Sequence, residues 1–362
     1  MDKIKLLGKN LTELKAIASE LGLPAFTAKQ LADWLYKKKV MSIEQMTNIS
    51  LQNRTKISEN FEVGASAPEE TMTSSDGTKK YLFKVKNNYI ESVYIPEEDR
   101  ATLCVSSQIG CKMNCLFCMT GKQGFSGNLS AADMLNQIQS IPESDQLTNI
   151  VFMGMGEPFD NTEELLKVLE ILTSDYGYAW SPKRITVSSI GILPGLKAFL
   201  QKSSCNLAIS LHTSFSNERL SLIPAEKAFP IEEVVKEINK YDFSKQRRVS
   251  FEYTMFKGVN DKQRHISGLV QLLSGLECRI NLIRFHAIPG VSLAGTSLPE
   301  MEKFRDQLTA KGIMTTIRKS RGEDILAACG LLSTIRKEAS PPAPLHRRGE
   351  TEREGNFGSL NK

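Results

Sequence analysis

Three cysteines, Cys111, Cys115 and Cys118, fall within eight residues in the spacing C-x3-C-x2-C. Thiolates are soft ligands, and three of them in one turn-sized segment are suited to hold a metal centre. A 4Fe–4S cluster has four irons, each taking one ligand beyond the bridging sulfides, so three cysteines leave one iron open to a small chelating molecule. Two plainer readings stand beside this one. A C-x2-C pair alone can be a redox couple or half a zinc site, and Cys104, seven residues upstream, could complete a four-thiolate tetrahedron. Zinc knuckles, however, use two cysteine pairs separated by a longer loop, a pattern this segment lacks.

The chain around the loop alternates short apolar, β-branched runs with amphipathic segments. Strands are predicted at 102–106, 148–153, 184–188, 206–211, 248–255, 278–285 and 314–317, and helices at 130–140, 162–173, 194–200, 231–241, 261–273 and 298–311. Such alternation implies an α/β fold with a parallel sheet, curled here into a partial TIM-like barrel over residues 99–337. Barrels of this kind carry their sites at the C-terminal strand ends. The polar motifs obey that rule: the cysteines follow the first strand, Gly154-Met155-Gly156-Glu157 the second, Ser188-Ser189 the third, Ser210-Leu211-His212 the fourth and His286 the sixth. A glycine-rich turn after a strand is by itself most often only a tight loop.

Upstream, residues 1–62 read as a small helical domain. Leu11, Leu14, Ile17, Ala18 and Leu21 repeat at helical spacing, and Leu31, Trp34 and Leu35 share a second helical face. Ten basic and six acidic residues fall in the first 60. Lys37, Lys38 and Lys39 follow Trp34 and Tyr36, either as RNA-phosphate contacts or as a solvated helix end complementing its dipole. Residues 63–98 contain a β-hairpin, 80–85 and 89–95 around Asn87-Asn88, with Glu91 on its second strand. Residues 338–362, with Pro341-Pro342-Ala343-Pro344 and a charged run, read as a disordered tail.

The 362 residues, 41% hydrophobic, can bury one large core and a satellite. A net charge of +5 suits a polyanionic partner without demanding one. No apolar run approaches the ~20 residues of a membrane span, and the polar opening has no signal-peptide core, so a cytoplasmic protein with no membrane partner is expected. Seven cysteines, three of them clustered, fit a reducing compartment.

With Phe117 just before its last cysteine, the loop resembles the radical S-adenosylmethionine (SAM) signature. Together with Arg100-Ala101-Thr102-Leu103-Cys104-Val105-Ser106-Ser107-Gln108, Gln123-Gly124-Phe125, Gly154-Met155-Gly156-Glu157-Pro158 and Ala327-Ala328-Cys329-Gly330, it resembles the RlmN/Cfr family of bacterial RNA methyltransferases, closest to its RlmN branch, from the N-terminus to about Ile335. That resemblance implies a barrel of the radical SAM type, with one 4Fe–4S cluster on Cys111, Cys115 and Cys118. It implies SAM contacts from Gly156, Glu157, Ser188, Ser210, Leu211 and His212, and from His286, where the enterobacterial form has asparagine.

The implied reaction is methylation of adenine C2 in 23S rRNA and beside the tRNA anticodon. One SAM methylates Cys329; a second gives a 5′-deoxyadenosyl radical that activates the methyl group for addition to C2. Glu91 then accepts the C2 proton, and Cys104 resolves the adduct as a disulfide with Cys329. A low-potential electron donor such as flavodoxin and a monomeric enzyme are expected. Arg318-Lys319-Ser320-Arg321 could grip phosphate or be a solvated turn. Two rivals remain at this stage: a Cfr-type C8 methyltransferase, and a non-catalytic, zinc-stabilised RNA-binding protein using Cys104 with the three loop cysteines. Cys205 and Cys278 read as small buried strand residues.

Overall fold

The computed structural model of the protein describes residues 3–243 and 248–334; the tail expected at 338–362 lies outside the described residues. Helices α1 (Leu11–Glu20), α2 (Thr27–Ala32) and α3 (Leu51–Asn60) open the chain, with two-residue strands β1 (Ile4–Lys5) and β2 (Phe61–Glu62) paired beside them. A capping box starts α1: the Asn10 side chain accepts from the Glu13 N–H at 3.0 Å, and the Glu13 carboxylate accepts from the Asn10 N–H at 2.8 Å. Glu13 also meets Lys167 at 3.1 Å, which ties this helical unit to the rest of the molecule. After Ala32 the helix widens into a π-turn over Asp33–Lys37.

Two lysines of the 37–39 triplet are engaged within the protein. Lys39 pairs with Asp145 at 2.6 Å, and Lys38 lies 3.6 Å from the Trp34 ring centroid and 3.4 Å from Asp33. Lys39 therefore fastens this unit to the core, a use that a charge count could not separate from RNA contact.

The main sheet has ten strands. β3 (Glu70–Thr73), β4 (Lys79–Val85) and β5 (Asn88–Pro96) are antiparallel; β6 (Ala101–Cys104) follows. A small pair, β7 (Gln108–Gly110) and β8 (Phe125–Asn128), stands apart. β9 (Asn149–Phe152), β10 (Ile185–Ser189), β11 (Asn206–Ser210), β12 (Val249–Met255), β13 (Arg279–Arg284) and β14 (Met314–Arg318) then add in sequence, all parallel to β6. The hairpin turn falls on Lys86 and Asn87, one residue before the expected position, because Lys86 takes the left-handed conformation at φ 54°.

Helices cover the outer face: α5 (Ala131–Gln139), α6 (Thr162–Thr173), α7 (Leu193–Lys202), α9 (Ile231–Ile238), α10 (Gln263–Leu272) and α11 (Leu298–Ala310), with short α4 (Met119–Gln123) and α8 (Ser216–Leu222) on loops between strands. Strand side chains of one parity, including Ile150, Phe152, Val187, Leu207, Phe251 and Leu282, are wholly buried. Each contributes about 1.5–3 kcal/mol of apolar burial. The other parity is largely polar and faces the inside of the curl. The open side is bridged where the segment after β14 meets the β3–β4 turn: Gly322 N–H donates to Asp76 at 3.1 Å and Ser75 N–H to Asp324 at 3.1 Å. No described helix is long and apolar enough to cross a membrane.

Candidate active site

The cysteine loop is anchored at both ends. Gly110, at φ 71°, places the loop's start against Gly124; a Cβ there would stand 1.8 Å from the Gly124 carbonyl oxygen, so only glycine fits. Cys111 N–H donates to that same carbonyl at 2.9 Å. Further on, Leu116 N–H donates to Leu222 at 2.9 Å and Met119 N–H to Gly330 at 2.8 Å. The Phe117 ring packs 4.7 Å from the His212 ring, edge-on, and 5.5 Å from Phe256. The aromatic residue before the last cysteine thus pins the loop to the ends of β11 and β12.

Cys111, Cys115 and Cys118 line one cavity of about 160 Å³ with Gly156, Glu157, Ser188, Ser210 and His212. Burial pushes the Cys111 thiol up to about 12 and Cys115 well above its usual value, with the neighbouring Cys118 adding to the rise at both. Such groups stay protonated unless a metal takes them as thiolates. Among the described residues, no three His, Cys, Asp or Glu side chains converge as they would on a single ion. A cluster asks something else, because each thiolate takes a separate iron. Three adjacent thiols on one cavity wall fit that demand. Glu252 adds a sign that a polar ligand belongs here: it is buried, faces the cavity, and its Oε2 has no hydrogen-bond partner.

Glu157 is 4% exposed, and its two oxygens accept from the N–H groups of Phe159 and Ile190, each at 3.0 Å. Burial nevertheless raises its carboxyl to about 7. Gly154 and Gly156 make room for protein rather than for a side chain of their own. A Cβ on Gly156, at φ 97°, would lie 2.4 Å from Gln108 Cβ, and one on Gly154 2.7 Å from Ser106 Oγ. What the missing side chains admit is the neighbouring segment after β6. His212, at φ 60°, accepts on Nδ1 from the Thr254 N–H at 2.9 Å, and burial lowers it to about 3, so the ring is neutral.

Arg219 gave no signal in the sequence, yet it organises this rim. Wholly buried, it donates to the carbonyls of Leu211 at 3.1 Å, Ile190 at 2.7 Å and Ser210 at 2.8 Å, and pairs with Glu226. It joins the loops after β10 and β11. Arg219→Met strands the Glu226 carboxylate, and the expected cost is about 3–5 kcal/mol in urea unfolding of the full chain; a loss below about 1 kcal/mol would show that the network is not structural.

The remaining expected residues sort into two groups. Cys104, at the end of β6, is buried, and burial together with Cys329 pushes its thiol up to about 12, while Arg318 opposes. Cys329 is exposed and raises Arg318 more than any other group does. Cys104 therefore belongs with Cys329 and Arg318, whereas the loop thiols act on each other. Glu91 is 4% exposed, pairs with Lys80 at 3.0 Å, and accepts from the Ser333 N–H at 2.9 Å, just beyond Cys329. Burial raises this carboxyl and Lys80 opposes. Leu211 is wholly buried, with its backbone N–H on Glu252 and its carbonyl on Arg219. His286 does not join the cysteine cavity: its ring bonds Ser320 Oγ at 2.9 Å, sits 3.6 Å from Glu323, and lines the neighbouring cavity at the C-terminal end of β13. An imidazole beside a hydroxyl and a carboxylate finds partners there that an asparagine analogy did not foresee.

Residues 105–267 match the family model of the radical SAM superfamily, and residues 4–63 that of the ribosomal RNA large subunit methyltransferase N-terminal domain. A probable dual-specificity RNA methyltransferase RlmN from Parabacteroides distasonis is 63% identical over 328 residues, covering 90% of this chain and 96% of that protein. One from Phocaeicola vulgatus is 63% identical over 326 residues, covering 90% and 93%. The chain belongs to the RlmN family. The crystal structure of a radical SAM methyltransferase from Sphaerobacter thermophilus superposes with a TM-score of 0.85 at 35% identity, over 91% of this chain and 99% of that one. This RlmN-family protein is a radical SAM RNA methyltransferase, which removes the non-catalytic zinc reading. Among the described residues Cys104 and the three loop cysteines do not converge as ligands of a single ion would.

Proposed function

We infer that this enzyme methylates C2 of an adenosine in the peptidyl-transferase region of 23S rRNA and of the adenosine next to the tRNA anticodon, carrying the methyl group on Cys329. The observation that carries the reading is the position of Cys329. It lines the cavity of the loop thiols and also a second cavity beneath, with Cys104 and Arg318 beside it. In this reading Cys111, Cys115 and Cys118 hold a 4Fe–4S cluster, and Gly156, Glu157, Ser188, Ser210 and His212 hold SAM, with Leu211 keeping that rim in place. Bound SAM supplies both the methyl group and, on reductive cleavage, the radical that activates it.

The protein's own residues do the rest. Glu157, buried between backbone N–H groups, offers a carboxylate to the SAM ammonium. Glu91, raised by burial and steadied by Lys80, takes and retains the C2 proton. Cys104 then attacks the Cys329 sulfur: the new S–S bond replaces the bond from that sulfur to the transferred carbon, the carbon takes a proton to complete the methyl group, and the odd electron left by radical addition would return to the cluster held by Cys111, Cys115 and Cys118; a thiol reductant restores the cysteine pair. A flavodoxin-like donor, the cytoplasm, a monomeric state, and a division into a helical unit (1–62), a hairpin region (63–98) and the barrel (99–337) complete the proposal.

Incubation of the reconstituted enzyme with SAM alone is expected to leave the peptide containing Cys329 one methyl group heavier by mass spectrometry; an unmodified peptide would overturn the assignment. Glu157→Gln is expected to weaken SAM binding about ten- to hundredfold in equilibrium dialysis, the scale of a charge-assisted hydrogen bond. Unchanged affinity would remove Glu157 from the site.

A further inference from the structure

The inside of the barrel divides into two cavities that share Met153, Glu252, Ile283, Arg318 and Cys329. The upper one holds the loop thiols. The lower one, about 460 Å³, runs to the N-terminal ends of the strands. Inward positions of a closed TIM barrel are filled by branched apolar side chains. Here the inward positions at the strand starts are Asn149, Thr186, Asn206, Arg248, Arg279 and Asn281. Such a wall is built for water or a polar ligand rather than for packing.

Two of these residues carry unbalanced charge. Arg248 immediately precedes β12 and Arg279 opens β13; the strands are parallel neighbours, with Ser250 opposite Arg279. Burial and Arg248 both push the Arg279 guanidinium down. Among the described residues neither arginine pairs with a carboxylate, whereas Arg100, in the same wall, is neutralised by Glu97. Two guanidiniums that repel one another across a polar mouth are a fork for phosphate oxygens. From Arg279 to Ile283, beside Cys329, is four strand residues, about 13 Å. A splayed nucleotide with its neighbour spans that depth.

If SAM occupies the upper cavity, the RNA has to reach Cys329 from the other side. We propose that the N-terminal mouth of the barrel is a phosphate port, where Arg248 and Arg279 grip the backbone of the single-stranded segment carrying the target adenosine. This rests on Cys329 being the methyl carrier. The port guides the strand along the polar wall, and the adenine alone passes up to the shared residues. Base unstacking is then assisted by a hold on the flanking phosphate.

The test uses the full-length, cluster-loaded enzyme as wild type, Arg248→Gln/Arg279→Gln and Arg248→Lys/Arg279→Lys, each checked for an intact barrel by the visible spectrum of its cluster. A labelled anticodon stem–loop RNA is titrated by fluorescence anisotropy over a series of KCl concentrations. The glutamine pair is expected to bind about tenfold more weakly, and the slope of log affinity against log salt to flatten by about 0.7 per lost phosphate contact. The lysine pair is expected to keep the wild-type slope. Unchanged affinity and slope in the glutamine pair would overturn the port. Loss of inorganic phosphate or AMP binding in that pair, with RNA affinity unchanged, would also overturn it, assigning the arginines to a small phosphate ester. Wild-type enzyme that binds RNA with the expected slope yet forms no methyladenosine would sink the functional reading and leave the port standing.

Discussion

Cys329→Ala is expected to abolish methyl transfer to RNA, a loss of about 10⁴-fold or more, while the protein stays brown and still binds SAM. Adenine C2 is electron-poor, so it cannot displace a methyl group from a sulfonium as a nucleophile would. The methyl group has to travel on a protein atom that can be methylated first and present a carbon-centred reactant afterwards. A thiol on the wall shared by two cavities meets both needs, and Cys329 is exposed at that wall. The proposed cluster ligands, Cys111, Cys115 and Cys118, sit on a separate loop joined to this segment through the Met119–Gly330 hydrogen bond at 2.8 Å, so loss of the Cys329 sulfur is expected to leave the metal site intact. Visible absorbance and methyl transfer, measured on one preparation, separate these effects. A Cys329→Ala enzyme with full transfer would end the proposed role.

Cys104→Ala is expected to stop the reaction one step later and trap a covalent protein–RNA adduct. Addition to C2 joins Cys329 to the base, and release then requires a second sulfur. In the resting protein, Cys104 is an unpromising nucleophile, because burial and Cys329 together push its thiol up to about 12. Once Cys329 is a thioether it can no longer become a thiolate, so it cannot oppose a Cys104 thiolate. Arg318, which favours the Cys104 thiolate, then acts with burial as its main opponent. Resolution is thus favoured only after the adduct has formed. Denaturing gel electrophoresis of Cys104→Ala enzyme after turnover should show RNA migrating with the protein; only free RNA would contradict the order of steps.

The barrel was readable because each strand is a short β-branched apolar run whose outward parity is buried under an amphipathic helix, so the alternation of the two patterns located all seven parallel strands; the predicted and observed bounds of α6, 162–173, coincide. That the three loop thiols share one cavity was readable for a different reason: they fall within eight residues, too short a stretch to place them far apart. Short-range geometry was less visible. Helix α8 and the turn Pro224–Lys227 after it carry Arg219 and Glu226, whose pairing depends on a fold-back that no periodicity announces. Gly154 and Gly156 read as a tight turn, and the space they free belongs to Ser106 and Gln108, a contact between segments nearly 50 residues apart. Glu91 on a hairpin reads as surface; only the Lys80 ion pair and the Ser333 N–H set it beside the Cys329 segment. His286 shows the limit of positional analogy. Its ring bonds Ser320 and lies beside Glu323, partners that are set by an imidazole and not by an asparagine amide.

Regiochemistry depends on the adenine's pose, and the most direct test reads the product. This chain is expressed in a bacterium whose own C2 methyltransferase has been deleted, and nucleosides digested from 23S rRNA and tRNA are analysed by mass spectrometry. Restored 2-methyladenosine in both RNAs is the predicted result. 8-Methyladenosine in its place would contradict C2 chemistry and assign the enzyme to the Cfr type, and neither product from a soluble, brown protein would contradict the substrate itself.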